Sequence, residues 1–373
     1  MSAIPGHDAA ATAGENYTEA RARFLSSARA AGAEISSIDH PLRGPAGQAL
    51  ATDLAWLGPA NAQAVLLIAS GAHGVEGHCG SMVQTAWLRA ASRDRLPDGV
   101  AVALLHAINP FGFAWTRRTD HENIDINRNW VDFARPLPVN AAYLAHEGLV
   151  RPEHWDGPVR AAFHAVLEDA ASGTDGRAMI AALTSGQHDR PDGLFFGGRA
   201  ASWSRAMLED LLPRAFRHCR QLAIIDIHSG LGPFGRGERM IPAGAGPAAR
   251  VRAGRWYGLG VTLVGGEDSV SAAVTGDWMS GAARLLPEVA VTPVAMEFGT
   301  RPVVQVLEAL VGDAWLWRDR PGRADHAGDV MAATRDAFFP ADPVWQGMIL
   351  GQALAMIGQA LEGLSHDLSE NIE

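Results

Sequence analysis

The chain reads as an α/β fold in which helices flank a largely parallel sheet. Two observations predict it. Short apolar runs alternate with segments whose apolar residues recur every three or four positions. Several of those runs also stop abruptly at a polar residue. In open α/β sheets ligands bind beyond the carboxyl ends of the strands, so these stops are expected to converge on one site.

Taken in order, residues 15 to 31 predict an amphipathic helix, with Tyr17, Phe24, Ala28 and Ala31 near one face and Gly32 as its stop. Strands are expected at 50 to 56 and from Ala64 to Ala69, the second running through Ser70-Gly71 to end at His73. The spacing of Met82, Ala86 and Leu88 predicts a helix over Ser81 to Ala91. Further buried strands are expected at Val100 to Leu105, Leu222 to Ile227, Val261 to Val264 and Thr292 to Met296. Two of these run into His228 and Glu297. Residues 134 to 205, rich in Pro, Gly, His and Asp, break the alternation and read as an insertion or a lid. Around 343 to 364, Leu350, Leu354, Ile357, Leu361 and Leu364 form one helical seam. A packing helix is expected there, although the same seam would also suit a homo-oligomer interface, and Gly347, Gly351 and Gly358 would admit close approach. The whole of 1–373 is expected to form one domain.

Composition narrows the function. At 373 residues and 47% hydrophobic content, the chain can bury a large core without disulfides. With 31 basic and 41 acidic residues, the net charge of -10 gives no footprint for nucleic acid or an anionic membrane. An anionic substrate would need local positive charge. Only Cys79 and Cys219 are present, which excludes a disulfide framework and a cysteine-rich zinc site. The first residues, Met-Ser-Ala-Ile-Pro-Gly-His-Asp, carry neither a basic start nor an apolar segment, so a cytoplasmic location is expected.

The chemistry is concentrated in a few short motifs. His73-Gly-Val-Glu76 places an imidazole and a carboxylate on one tight turn, and His228 stands far along the chain in Asp226-Ile-His228-Ser229-Gly230. Two imidazoles and one carboxylate satisfy zinc and leave a fourth position open, as in catalytic sites. The helical zinc motifs do not fit, because Gly77 separates Glu76 from His78. His78 reads as a helix-start residue, and His106 as a core histidine. His121, His146, His154 and His188 read as surface or polar-loop residues. A second cluster comprises Asn109-Pro-Phe-Gly112, Arg117-Arg118 and Asn123-Ile-Asp125-Ile-Asn127-Arg128-Asn129-Trp130. A guanidinium fork beside an amide suits a carboxylate, though a loop salt bridge uses the same residues. In extended backbone Asp125 and Asn127 share one side, and Arg128 points away unless the chain turns.

In their order, these motifs together with Glu297 in Met-Glu297-Phe-Gly-Thr300 resemble the zinc metallocarboxypeptidase superfamily, which includes succinylglutamate desuccinylase and aspartoacylase. The wording is similar in particular to an uncharacterised bacterial branch. The resemblance implies a central mixed, mostly parallel sheet of about eight strands flanked by helices. It also implies one zinc ion held by His73, Glu76 and His228, with Glu297 as general base and Arg118, rather than Arg117, as the oxyanion partner. Asn127 and Arg128 would clamp a free carboxylate, and Asp125 would hydrogen-bond a zinc histidine. Asp226, on the same strand face as His228, reads equally as a tuning group or a buried structural acid. The implied activity is zinc-dependent hydrolysis of an amide beside a free carboxylate, on a small molecule or short peptide. An N-acyl amino acid deacylase similar to aspartoacylase would use the same residues. A non-catalytic zinc-dependent binding protein would be expected to lack the base, yet Glu297 is present. One departure stands out: classical members carry a mobile tyrosine before the catalytic glutamate, and residues 269 to 278 contain none.

Overall fold

The runs Ala64–Ser70 and Val100–His106 are buried at every position, which a strand tolerates only when both faces are covered. The computed structural model describes residues 12–91 and 96–370, so the N-terminal residues read for a targeting signal lie outside the described residues. Eight strands form one sheet: β1 (Glu34–Arg43), β2 (Ala49–Leu57), β3 (Ala64–Ser70), β4 (Val100–His106), β5 (Gln221–Gly230), β6 (Gly237–Ile241), β7 (Val261–Leu263) and β8 (Ala290–Gly299). Their order is β1-β2-β4-β3-β5-β8-β6-β7. The inner strands β4, β3, β5 and β8 run parallel, whereas β2 and β6 join them antiparallel. The sheet is therefore mixed, with a parallel centre. From β3 the chain passes to β4 on one side and later to β5 on the other, which makes the carboxyl ends of β3 and β5 a topological switch point.

Helices cover both faces. Gly77–Ala90, Pro247–Tyr257 and Pro343–Glu370 pack one apolar layer, and Trp203–Ala215 with Trp278–Leu285 packs the other. The helix Tyr17–Ala30 starts at Asn16, whose side chain accepts from Glu19 N, and buries Tyr17, Phe24 and Ala28. Residues 134 to 205 contain three helices of their own, Ala141–Val150, Gly157–Ser172 and Thr174–Thr184. Tyr143, Phe163, Leu167 and Leu183 from this segment pack on Val306, Leu307 and Leu310 of the helix Val303–Arg318.

The C-terminal seam faces the core: Leu350, Ile357 and Leu364 are buried, each stabilising the fold by about 1.5–3 kcal/mol. Gly347, Gly351 and Gly358 do not serve close approach, because a Cβ at any of them would meet open space. Gly363 does so instead, against the ring of Trp256. Two strands absent from the sequence reading, β1 and β6, carry many polar residues because they lie toward the sheet margins. Among the described residues no helix is long and apolar enough to cross a membrane.

Candidate metal centre

The His-x-x-Glu motif works through a 3₁₀ turn. His73 caps the turn Gly74–Glu76, and residues three apart eclipse in that geometry, so the imidazole and the carboxylate face the same way. Gly74 is required by packing: a Cβ there would come within 2.1 Å of the Gly112 backbone, which explains why the two glycine-bearing motifs occur together. The turn is tied to the arginine segment by Gly74 N to Arg118 O at 3.1 Å and Val75 N to Arg117 O at 2.7 Å. His228 arrives from β5, in register with Glu297 on β8. Register partners on neighbouring strands share a face, so imidazole and carboxyl stand side by side.

One ligand atom each from His73, Glu76 and His228 lies within 4.8 Å of the others, and all three residues are buried. Glu76 Oε1 is 3.0 Å from His73 Nδ1, and Oε2 is 2.8 Å from His228 Nδ1. Both rings turn Nδ1 toward Glu76 and Nε2 toward a second carboxylate. His73 Nε2 meets Asp125 Oδ1 at 3.2 Å, and His228 Nε2 meets Asp226 Oδ2 at 2.6 Å. Such carboxylate contacts fix the tautomer that leaves Nδ1 available as a ligand. The donor set of two imidazoles and a carboxylate therefore fits zinc.

Electrostatics separates the two glutamates. Burial alone would raise Glu76, but the facing histidines hold it below the usual carboxylate range. Burial, reinforced by the charge of Glu76, pushes Glu297 up to about 7. Its Oε1 accepts from Leu231 N at 2.9 Å. Asp125 stays well below the usual range despite its burial, because Arg118 and Arg128 stand beside it.

Arg118 reaches into the centre, with Nε 3.0 Å from Asp125 Oδ2 and Nη1 3.2 Å from Glu76 Oε1. Arg117 points the other way, bonds Asp313 through Nε at 3.3 Å and lies 4.2 Å over the Trp317 ring. Asp125 caps a second 3₁₀ turn, Ile126–Arg128. Because the backbone turns there, Arg128 does not point away as an extended strand would require, and both Asn127 and Arg128 line the cavity. Arg128 is buried; it donates to the Asn127 and Thr184 carbonyls, while its Nε has no partner among the described residues.

The cavity, about 790 Å³, contains His73, Glu76, Arg118, Asn127, Arg128, His228 and Glu297 in its lining. Its remaining walls are largely apolar. One comprises Met240, Val264, Val270, Met279 and Ala295, and another Ile180, Phe195, Val306, Leu307 and Leu310. No tyrosine among the described residues lines it. The 134 to 205 segment contributes Phe195 and Thr184, which carried no recognisable sequence signal. His188 lies in a loop, as expected, but is buried there, with Nδ1 2.8 Å from Gly198 O. His106 is a core histidine, bonded to Ser81 Oγ at 2.9 Å, and His78 packs between Phe113 and Phe339.

Residues 14–352 match a family model described as a protein of unknown function, DUF2817. The chain belongs to this family. Curated proteins yield no match. Among solved structures, bovine thrombin-activatable fibrinolysis inhibitor, in complex with tick carboxypeptidase inhibitor, is 10% identical, covers 95% of this chain and 98% of its own, and has a TM-score of 0.50. Carboxypeptidase A from Helicoverpa armigera is 13% identical over 87% of this chain and 74% of its own, with a TM-score of 0.45. A protein from Shewanella amazonensis described as of the succinylglutamate desuccinylase/aspartoacylase family is 16% identical over 78% and 73%, with a TM-score of 0.34. The first likeness gives this chain a carboxypeptidase-like fold.

Proposed function

We propose that the chain is a zinc-dependent hydrolase that cleaves an amide beside a free carboxylate, with an apolar side chain on the residue bearing that carboxylate. The observation that carries this reading is Glu297, a buried carboxyl of raised pKa, set beside His228 in a cavity that also holds two arginines. His73, Glu76 and His228 would hold the ion. Bound there, zinc supplies a Lewis acid that polarises a carbonyl and acidifies water.

This chain's residues do the rest. Glu297 takes the proton of the attacking water and returns it to the departing amine, the general acid–base task of a carboxyl positioned beside the cluster. Arg118 meets the charge developing on the carbonyl oxygen. Asn127 and Arg128 bind the substrate carboxylate, and the unpartnered Arg128 Nε supports that role because a buried guanidinium donor calls for an acceptor. In the same cavity, Met240 and Ala295 stand side by side as register partners on β6 and β8, an uncharged surface that favours an apolar side chain. The wall of Ile180, Phe195 and Leu307 would equally take an aliphatic acyl group, so an apolar N-acyl amino acid is the second reading. Beyond Arg118 and Arg128 the lining offers neither lysine nor arginine among the described residues for a second carboxylate, which weighs against an acidic substrate of the aspartoacylase kind.

The test is metal analysis joined to a substrate panel. Carboxyl-terminal peptides and N-acyl amino acids with apolar, acidic and basic side chains are assayed with and without chelator. Metal-dependent turnover of apolar members is expected. Unchanged activity after complete metal removal would reject the mechanism.

A further inference from the structure

Asp125 and Asp226 each hold one histidine of the centre, yet they are stabilised differently. Asp125 accepts from the Arg118 guanidinium as well as from His73. Asp226 is buried, and Oδ1 has no donor among the described residues. Apart from His228, the side chain holding it is Trp278, whose indole Nε1 donates to Oδ2 at 2.6 Å. A buried carboxylate left with one partner fewer is costly, and an indole N–H satisfies it without neutralising it. One carboxylate oxygen, Oδ2, thus takes both bonds, and the indole fixes where it meets His228 Nε2.

Trp278 also acts through its backbone. Its peptide N–H donates to Asn127 Oδ1 at 3.2 Å, which leaves the amide Nδ2 as the donor that Asn127 can offer the cavity. The residue is completely buried at the start of the helix Trp278–Leu285, where Asp277 caps the chain by accepting from Ser280 N.

We propose that Trp278 is a positioning residue for both halves of the site: its indole holds Asp226 so that His228 presents Nδ1 to the metal, and its peptide N–H aims Asn127 at the substrate carboxylate. This rests on the zinc reading above. The two roles separate experimentally, because changing the side chain removes the indole bond and leaves the peptide bond in place.

Zinc affinity of the full chain is measured by chelator competition for the wild type, Trp278→Phe, Asp226→Asn and the double variant, with KM measured at saturating zinc. Trp278→Phe is expected to weaken zinc binding about tenfold or more, the usual loss when a partner of a metal-ligating histidine is removed. Its KM should stay at the wild-type value, and the double variant should bind zinc no more weakly than Asp226→Asn. A purely structural tryptophan would instead move KM, zinc affinity and melting temperature together. Should Trp278→Phe fail to fold, β-(3-benzothienyl)alanine at 278 exchanges only the N–H for sulfur and gives the same readout. Wild-type zinc affinity in the N–H-free protein, or losses that multiply in the double variant, would overturn the proposal. A wild-type chain that takes up no zinc would sink the metal reading and this proposal with it, whereas zinc-binding wild type beside an unaffected variant would sink this proposal alone.

Discussion

Glu76 and Glu297 share one cavity, yet their neighbours drive them in opposite directions. Burial raises both, but the histidines facing Glu76 overcome it, whereas at Glu297 the charge of Glu76 adds to it. Under the proposed mechanism, Glu297→Gln should lower kcat by about 10²–10⁴-fold while metal analysis still finds zinc. The same carboxyl makes stability depend on pH in the metal-stripped protein. Its folded pKa is raised from 4.5 to about 7, so its contribution is present below 4.5 and is lost as pH rises through about 7. Chelator-treated wild type should therefore lose stability relative to Glu297→Gln between those values in denaturant titrations, and parallel curves would refute this. A cation at the cluster opposes the charge of Glu76 and should shift that window down. His228 and Glu297 were legible because each lies on an apolar strand near its end. The role of Asp226 was not, since a buried acid has the same sequence appearance whether it holds a histidine or only the fold. Its 2.6 Å bonds to His228 and Trp278 distinguish the two.

Two short turns and one buried ion pair carry the site at the next scale. The 3₁₀ turn at Gly74–Glu76 was legible as a tight turn, but the one at Ile126–Arg128 was not, because alternation in extended backbone sends Arg128 away. Asp125 resolves this by capping the second turn, with Oδ1 accepting from Asn127 N at 3.0 Å. Arg117, whose carbonyl holds Val75 N, is anchored by Asp313 on the helix Val303–Arg318. Removing one partner of a buried pair leaves an uncompensated charge, so Asp313→Ala should cost about 3–5 kcal/mol in chemical denaturation. Thr184 ends the last helix of the 134 to 205 segment, and its carbonyl takes a bond from Arg128 at 2.6 Å. Gly186 follows at φ +111°, where a Cβ would lie 2.6 Å from Arg128 Cδ. Gly186→Ala should consequently raise KM while leaving zinc affinity unchanged, and a lowered zinc affinity would show that Arg128 supports the metal as well. The strands β1 and β6 escaped sequence reading because their polar residues blur the apolar signal.

At the scale of the molecule, the proposed metal ties β3, β5 and the turn between β3 and the next helix into one unit. Zinc bound only by the folded chain should stabilise it by about 2.7 kcal/mol at a free concentration one hundred times Kd, seen as a higher melting temperature that chelator reverses. A net charge of -10 coexists with a cavity containing two arginines, so local placement, not overall charge, decides which substrates are attracted. Sequence by itself determined the α/β class, the buried strands and the motifs that meet at their ends, because burial on both faces and ligand chemistry each demand particular residues at short spacing. Only the tertiary structure decided which face of each turn looks inward, that Arg128 joins the cavity while Arg117 leaves it, and that Trp278 stands behind Asp226. Those contacts join residues far apart in the chain, and the packing that brings them within hydrogen-bond reach leaves no periodic trace in the sequence.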